Sequence, residues 1–218
     1  MAEIRQNPRD FLPEPALRRL PWYLAYVNLL SARDVDYVSS TQIAKALSID
    51  ASQIAKDLSF LNIKGKTRIG YEVASLKSEL EYFLGFGEQH NAVMVGVGSL
   101  GAALIRDTGL SHYGLNIVAG FDISPEVVGT SINGVPIYDI SELETRRPRL
   151  KAEIGVVAVP IESAQETADQ LVASGIKALW NFTPFRIRVA ADIVIQNTSI
   201  YSHLAVMYNR LGLIAPQD

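Results

Sequence analysis

A chain of 218 residues with 48% hydrophobic side chains can bury a sizeable core, as one large domain or two small ones, and its net charge of -3 excludes a wholly basic nucleic-acid binder. The charge is unevenly divided: residues 1–87 carry 11 Lys/Arg against 10 Asp/Glu and residues 88–218 carry 9 against 13, which places any nucleic-acid surface in the first part. The lack of cysteine removes disulfides, thiol nucleophiles and Cys-ligated zinc or iron–sulfur centres, so a redox response has to act through a bound cofactor.

The first ten residues, MAEIRQNPRD, are polar, are expected to fray, and lack the apolar core of a signal peptide. No apolar run is long enough to span a bilayer, which points to the cytoplasm. From Pro13, the spacing of Leu17, Leu20, Leu24, Val27 and Leu30 predicts a helix, with Pro21 as a kink or boundary. Ser39 and Gln42 stand at capping-box spacing before a short helix through Ile43, Ala44, Ala46 and Leu47. Asp50 and Gln53 repeat that start before a third helix with Ile54, Leu58 and Leu61 inward and Ser52, Gln53, Lys56 and Ser59 outward. Two short capped helices on a tight connection describe a helix-turn-helix, and small polar residues with one lysine suit a major groove. Residues 62–73 then set Lys64, Lys66 and Arg68 along a turn-forming segment like the hairpin of a winged helix, where cations neutralise phosphates. An amphipathic helix through Leu76, Leu80, Phe83 and Leu84 closes this part, and the boundary is expected near residues 85–91.

Beyond it, Ala92–Val95 is a continuous apolar run that ends in Gly96, Gly98 and Gly101 and passes into the helix-forming Ala102–Ile105. Strand, G-x-G-x-x-G turn and helix form a pyrophosphate site: Gly96 permits the turn, Gly98 admits the ligand, and Gly101 lets the helix pack on the strand. The next strand, Asn116–Phe121, ends at Asp122, where a ribose would lie; an acid rather than an arginine favours NAD over NADP. Further strands around Val135–Tyr138, Ile154–Val159, Lys177–Phe182 and Ile193–Ile195 alternate with helices. That is α/β order, a doubly wound parallel sheet of Rossmann type with its ligand beyond the carboxyl ends of the strands, at Gly96, Asp122, Val159 with Pro160, and Asn181 with Thr183. The tail, residues 199–213, has an apolar stripe of Ile200, Leu204, Met207, Tyr208 and Leu211 that needs a partner, in its own domain or in a second subunit.

The segments PEPALRRL, SSTQIA, QIAKDLSF, GKTRIGY, GVGSLG, FDISPEVVG, VVAVP and SGIKALWNFTP, followed by the terminal helix, occur in this order. Together they resemble the Rex family of NADH-responsive transcriptional repressors over residues 13–211. The resemblance implies a homodimer of a winged-helix domain (1–87), a Rossmann NAD(H)-binding domain (88–198) and a swapped dimerisation helix (199–218). It also implies that NADH releases a palindromic double-stranded operator while NAD+ is compatible with DNA binding. By position it assigns the dinucleotide to Gly96, Val97, Gly98, Ser99, Leu100, Gly101, Asp122, Ile123, Val159, Pro160 and Asn181. The DNA falls to Arg19, Ser40, Ser52, Gln53, Lys56, Ser59, Lys64, Lys66 and Arg68. No residue is expected to ligate a metal.

Departures from the family pattern stand beside it. Ala55 and Ser99 replace arginines, and the wing arginine is shifted to Arg68 with Thr67 in its place. Ala25, Asp107 and Ser199 occupy the family's Arg, Tyr and Asp switch positions. These predict a divergent paralogue with weakened or rewired NADH response, and in the alternative a constitutive DNA binder that holds the dinucleotide structurally. An oxidoreductase is the third reading, disfavoured because His90, His112 and His203 lie in a linker, a loop and the tail rather than as a positioned proton donor. A coenzyme A site is disfavoured because no run of basic residues follows Asp122.

Overall fold

The computed structural model describes residues 12–214, so the expected fraying of the first ten residues lies outside it. The chain divides after Glu88 into two compact units.

The first unit begins with two helices, α1 (Glu14–Leu17) and α2 (Leu20–Ser31), instead of one. Pro21 lies in the first turn of α2, where its missing N–H costs nothing, so the break falls before it, at Arg18 and Arg19. Leu17 is consequently on the short helix and 41% exposed, off the predicted stripe. Strand β1 (Tyr37–Val38) leads to α3 (Ser40–Leu47), which carries the full capping box: Ser39 Oγ accepts from Gln42 N–H and Ser39 N–H donates to Gln42 Oε1. Helix α4 (Ala51–Leu58) is capped by Asp50, but Gln53 does not complete the box and turns to Asp57. Strand β2 (Tyr71–Glu72) precedes α5 (Val73–Leu84), and Leu20, Tyr23, Leu24, Ile43, Ile54, Leu58, Leu76 and Leu80 pack into one core. The predicted hairpin is smaller than expected. β2 pairs antiparallel with β1, and the segment just before β2 reduces to a turn closed by Lys66 and Gly70, which exchange backbone bonds of 2.7 and 2.9 Å.

The second unit is a seven-stranded sheet in the order β5-β6-β4-β3-β7-β8-β9: β3 (His90–Val95), β4 (Leu115–Asp122), β5 (Ser131–Ile132), β6 (Val135–Asp139), β7 (Ile154–Val157), β8 (Ala178–Asn181) and β9 (Val194–Asn197). Every pairing is parallel except β5 with β6. That edge hairpin turns through Asn133 and Gly134 at φ 51° and 82°, the mirror-image two-residue turn for which Asn-Gly is suited, so the sheet is mixed at its margin. Between the strands run α6 (Ser99–Arg106), α7 (Thr108–His112), α8 (Leu143–Leu150) and α9 (Ala164–Ala173). The Ala92–Val95 run is explained by burial on both faces: Val93 and Val95 enter one core, Ala92 and Met94 the other. Helix α10 (Ile200–Ile214) follows, with Tyr201, Val206, Met207, Tyr208 and Leu211 about half exposed or more in the single chain. Among the described residues no helix is long and apolar enough to cross a membrane.

Candidate functional site

The glycine turn between β3 and α6 is held by sterics that no other residue satisfies. Gly96 has φ +88°, and a Cβ there would stand 2.6 Å from Ala158 O; a Cβ on Gly101 would overlap Gly96 O. Gly98 differs, for nothing lies within 4 Å of the place its Cβ would take. The open side of the turn is therefore at Gly98, next to the first turn of α6, where Ser99 and Leu100 are exposed and the helix amides and dipole favour an anion.

Asp122, at the end of β4, ties this turn down. Its Oδ2 accepts Val97 N–H at 2.6 Å, and Oδ1 accepts Ile123 and Ser124 N–H at 2.8 and 2.9 Å. A carboxylate offers about four lone-pair sites, so these bonds leave one for a ligand hydroxyl. Two cavities flank the turn and share the wall of Val159 and Pro160. The smaller, about 140 Å³, runs between Asp122, Ile123, Ile140 and Thr167. The larger, about 410 Å³, is lined chiefly by apolar groups, among them Leu100, Ile161, Phe182 and Pro184, with Ile200 and Tyr201 from α10. The arrangement suits an elongated ligand with a ring at each end and an anionic centre over Gly98.

One predicted residue is not part of it. Asn181 is fully buried, its Nδ2 donating to Phe185 O and Asn197 Oδ1 and its Oδ1 accepting Thr183 N–H, so its carboxamide shapes the loop after β8 and is out of a ligand's reach. Thr183, on that loop, lines the larger cavity. Ile140, Phe182 and Tyr201 were not among the predicted residues. The strand-end rule reaches Phe182, whereas Tyr201 has no local signal because it arrives from the tail.

In the first unit the predicted polar residues divide into committed and outward groups. Arg19 makes a bidentate pair with Asp57, Nε to Oδ2 at 2.7 Å and a terminal nitrogen to Oδ1 at 2.8 Å, while the Tyr23 hydroxyl adds a bond of 2.7 Å. Arg19 thus joins α2 to α4, with 24% of its side chain still exposed. Burial alone would raise the Asp57 pKa, but the bonds from Arg19, Tyr23 and Gln53 outweigh it and hold the group below the usual carboxylate range. Burial and the Asp57 bond raise Tyr23 beyond any physiological pH. Ser52 Oγ donates to Asp50, Ser59 Oγ to Lys56 O, and Lys66 Nζ to the Tyr37 hydroxyl at 2.6 Å. Lys56, Lys64 and Arg68 are exposed, Ser40 and Gln53 half-buried. Arg68 sits at φ +64°, a conformation costly for a residue with a Cβ.

Two departures receive a structural reason. Asp107 Oδ1 accepts Gly109 N–H at the start of α7, and Ser199 Oγ accepts Ser202 N–H at 3.2 Å at the start of α10. Both residues serve as helix N-caps.

Residues 87–185 match the family model described as "CoA binding domain", and residues 12–59 match that described as "Putative DNA-binding protein N-terminus". The chain is 59% identical over 210 residues, 96% of each sequence, to the redox-sensing transcriptional repressor Rex of Bacteroides fragilis. Its fold superimposes with a TM-score of 0.88 and 34% identity, over 93% of each chain, on a crystal structure of RSP with beta-NAD+ and operator DNA. A structure of RSP with beta-NADH gives 0.83 and 35%, over 93% of this chain and 95% of that one.

Proposed function

This chain belongs to the Rex family of redox-sensing transcriptional repressors, and we propose from that premise how its residues divide the work of binding NAD(H) and operator DNA. It is a repressor that senses NADH against NAD+, and it is not an enzyme. The observation that carries the reading is the glycine turn open at Gly98 between two cavities that share Val159 and Pro160. The pyrophosphate lies on the α6 N-terminus at Gly98 to Gly101, and a ribose hydroxyl takes the remaining lone pair of Asp122. Adenine enters the slot beside Ile123, and the nicotinamide enters the larger cavity beside Leu100 and Tyr201. An apolar cavity favours the neutral reduced ring over the cationic oxidised one, since an unpaired charge is costly to desolvate. The shared adenosine half makes the coenzyme A name of the family model compatible with this ligand.

On the DNA side, Ser40, Ser52, Gln53, Lys56 and Ser59 approach the groove and Lys64, Lys66 and Arg68 the phosphates. The exposed apolar side chains of α10 are covered by a second copy in a homodimer, which matches a palindromic operator. With its DNA, the protein works in the cytoplasm. The constitutive alternative rested on Ala25, Asp107 and Ser199; the last two have capping roles, and no observation favours it.

The test is fluorescence-anisotropy binding to a palindromic operator at fixed salt, titrated with each nucleotide. NADH lowers operator affinity and NAD+ leaves it; tight binding indifferent to both refutes sensing. A second expectation concerns Arg68→Gly. Glycine relieves the positive φ but adds freedom to the unfolded chain, so stability holds or rises by up to about 1 kcal/mol. Operator affinity falls, and the slope of log affinity against log salt drops by about 1. Lower stability in urea together with unchanged salt dependence would make Arg68 structural.

A further inference from the structure

Asp57 accepts every hydrogen bond its carboxylate can hold. Arg19 Nε and the Tyr23 hydroxyl occupy Oδ2, while Arg19 and Gln53 Nε2, both at 2.8 Å, occupy Oδ1. The group is 1% exposed and ionised, so it has no hydrogen to give. Gln53 therefore cannot present its amide the other way round: a flip would set Oε1 against Oδ1, two acceptors with no hydrogen between them. One Nε2 hydrogen is spent on Asp57, and on the half-buried Gln53 Oε1 and the second Nε2 hydrogen have no hydrogen bond among the described residues. Gln53 is the third residue of α4, and in a helix-turn-helix the N-terminal residues of the second helix meet base edges.

We propose that Asp57 fixes the Gln53 amide with Oε1 toward the major groove, so that Gln53 reads an exocyclic amino group, adenine N6 or cytosine N4, through that oxygen. The inference rests on the DNA-binding reading above and adds a specificity determinant, Gln53, with a positioning residue behind it, Asp57. In the major groove the exocyclic amino groups are the donors, and the fixed Oε1 is the acceptor they need.

The experiment compares full-length wild type and Gln53→Ala on palindromic operators in which each half-site position carries all four base pairs in turn. The variant loses discrimination at one position per half-site. There, replacing adenine by purine, or cytosine by 2-pyrimidinone, removes only the amino group; it weakens wild-type binding roughly five- to tenfold and leaves Gln53→Ala unaffected. An equal loss in both proteins, no loss in either, or no flattened position overturns the proposal. Asp57→Asn can turn an N–H toward Gln53 and release the lock, so the penalty for losing the amino group shrinks; a full penalty in a folded Asp57→Asn protein overturns the positioning role. A wild type that binds no operator instead removes the DNA-binding reading itself.

Discussion

Gly101→Ala abolishes NADH binding and destabilises the second unit by about 3 kcal/mol. The added Cβ overlaps Gly96 O and lies 3.0 Å from Gly96 C, so the clash is with backbone and not with a side chain that can rotate away. Gly96 has little room to retreat, since its backbone lies so close to Ala158 that a Cβ on it would stand 2.6 Å from Ala158 O. Helix α6 must lift from β3 or the turn must open, and either movement withdraws the amides that face the pyrophosphate. The better helix propensity of alanine offsets only about 1 kcal/mol. Gly98→Ala separates the two effects. Its Cβ meets nothing within 4 Å and its φ is -69°, so the unit folds with unchanged stability while the methyl group occupies the ligand's approach. Urea unfolding followed at Trp180 and NADH titration check both variants; a Gly101→Ala protein with wild-type NADH affinity would sink the account of the turn.

The turn was legible because its constraints are local. Three glycines within residues 96–101, after an apolar run buried on two faces, leave few other conformations, and the sequence carries the whole pattern. The caps of α3 and α4 were legible for the same reason, since Ser39 and Asp50 act within three residues of themselves. The Asn133–Gly134 hairpin had an equally local signal, which the reading of a parallel sheet passed over. Asn181 was misassigned and the structural role of Arg19 was missed because their partners are remote or non-repeating. Asp57 lies 38 positions from Arg19, and nothing near either one marks a buried pair. Asn181 looks like a ligand residue at a strand end until Phe185, Asn197 and Thr183 engage its buried carboxamide. Position at a strand end therefore nominates a residue, and the count of bonds already made decides whether it has capacity left for a ligand.

That count sets the second large effect. Asp57→Ala leaves the Arg19 guanidinium, the Tyr23 hydroxyl and the Gln53 amide facing a gap where four bonds stood, and removing one member of a buried ion pair costs roughly 3–5 kcal/mol. Arg19 remains 24% exposed, so water recovers part of its charge and the expected loss is near the lower value. It falls on the first unit. Trp22 on α2 and Trp180 on β8 report one unit each, and single-tryptophan variants distinguish them. The first unit of Asp57→Ala unfolds at lower urea, operator binding is lost because α4 is no longer fixed to α2, and NADH binding is retained. Replacing both partners, Arg19→Leu with Asp57→Leu, restores part of the stability by removing the stranded charge but does not restore DNA binding. The same pair sets an acid limit for the wild type. A carboxyl group lowered on folding stabilises the protein above its unfolded pKa of about 3.9, and that contribution is lost as pH falls through the lower folded value. The Trp22 transition therefore moves to lower urea only below about pH 4, and it does so less steeply in Asp57→Ala. If the variant kept the wild-type acid response and operator affinity, the Arg19–Asp57 pair would be incidental to both.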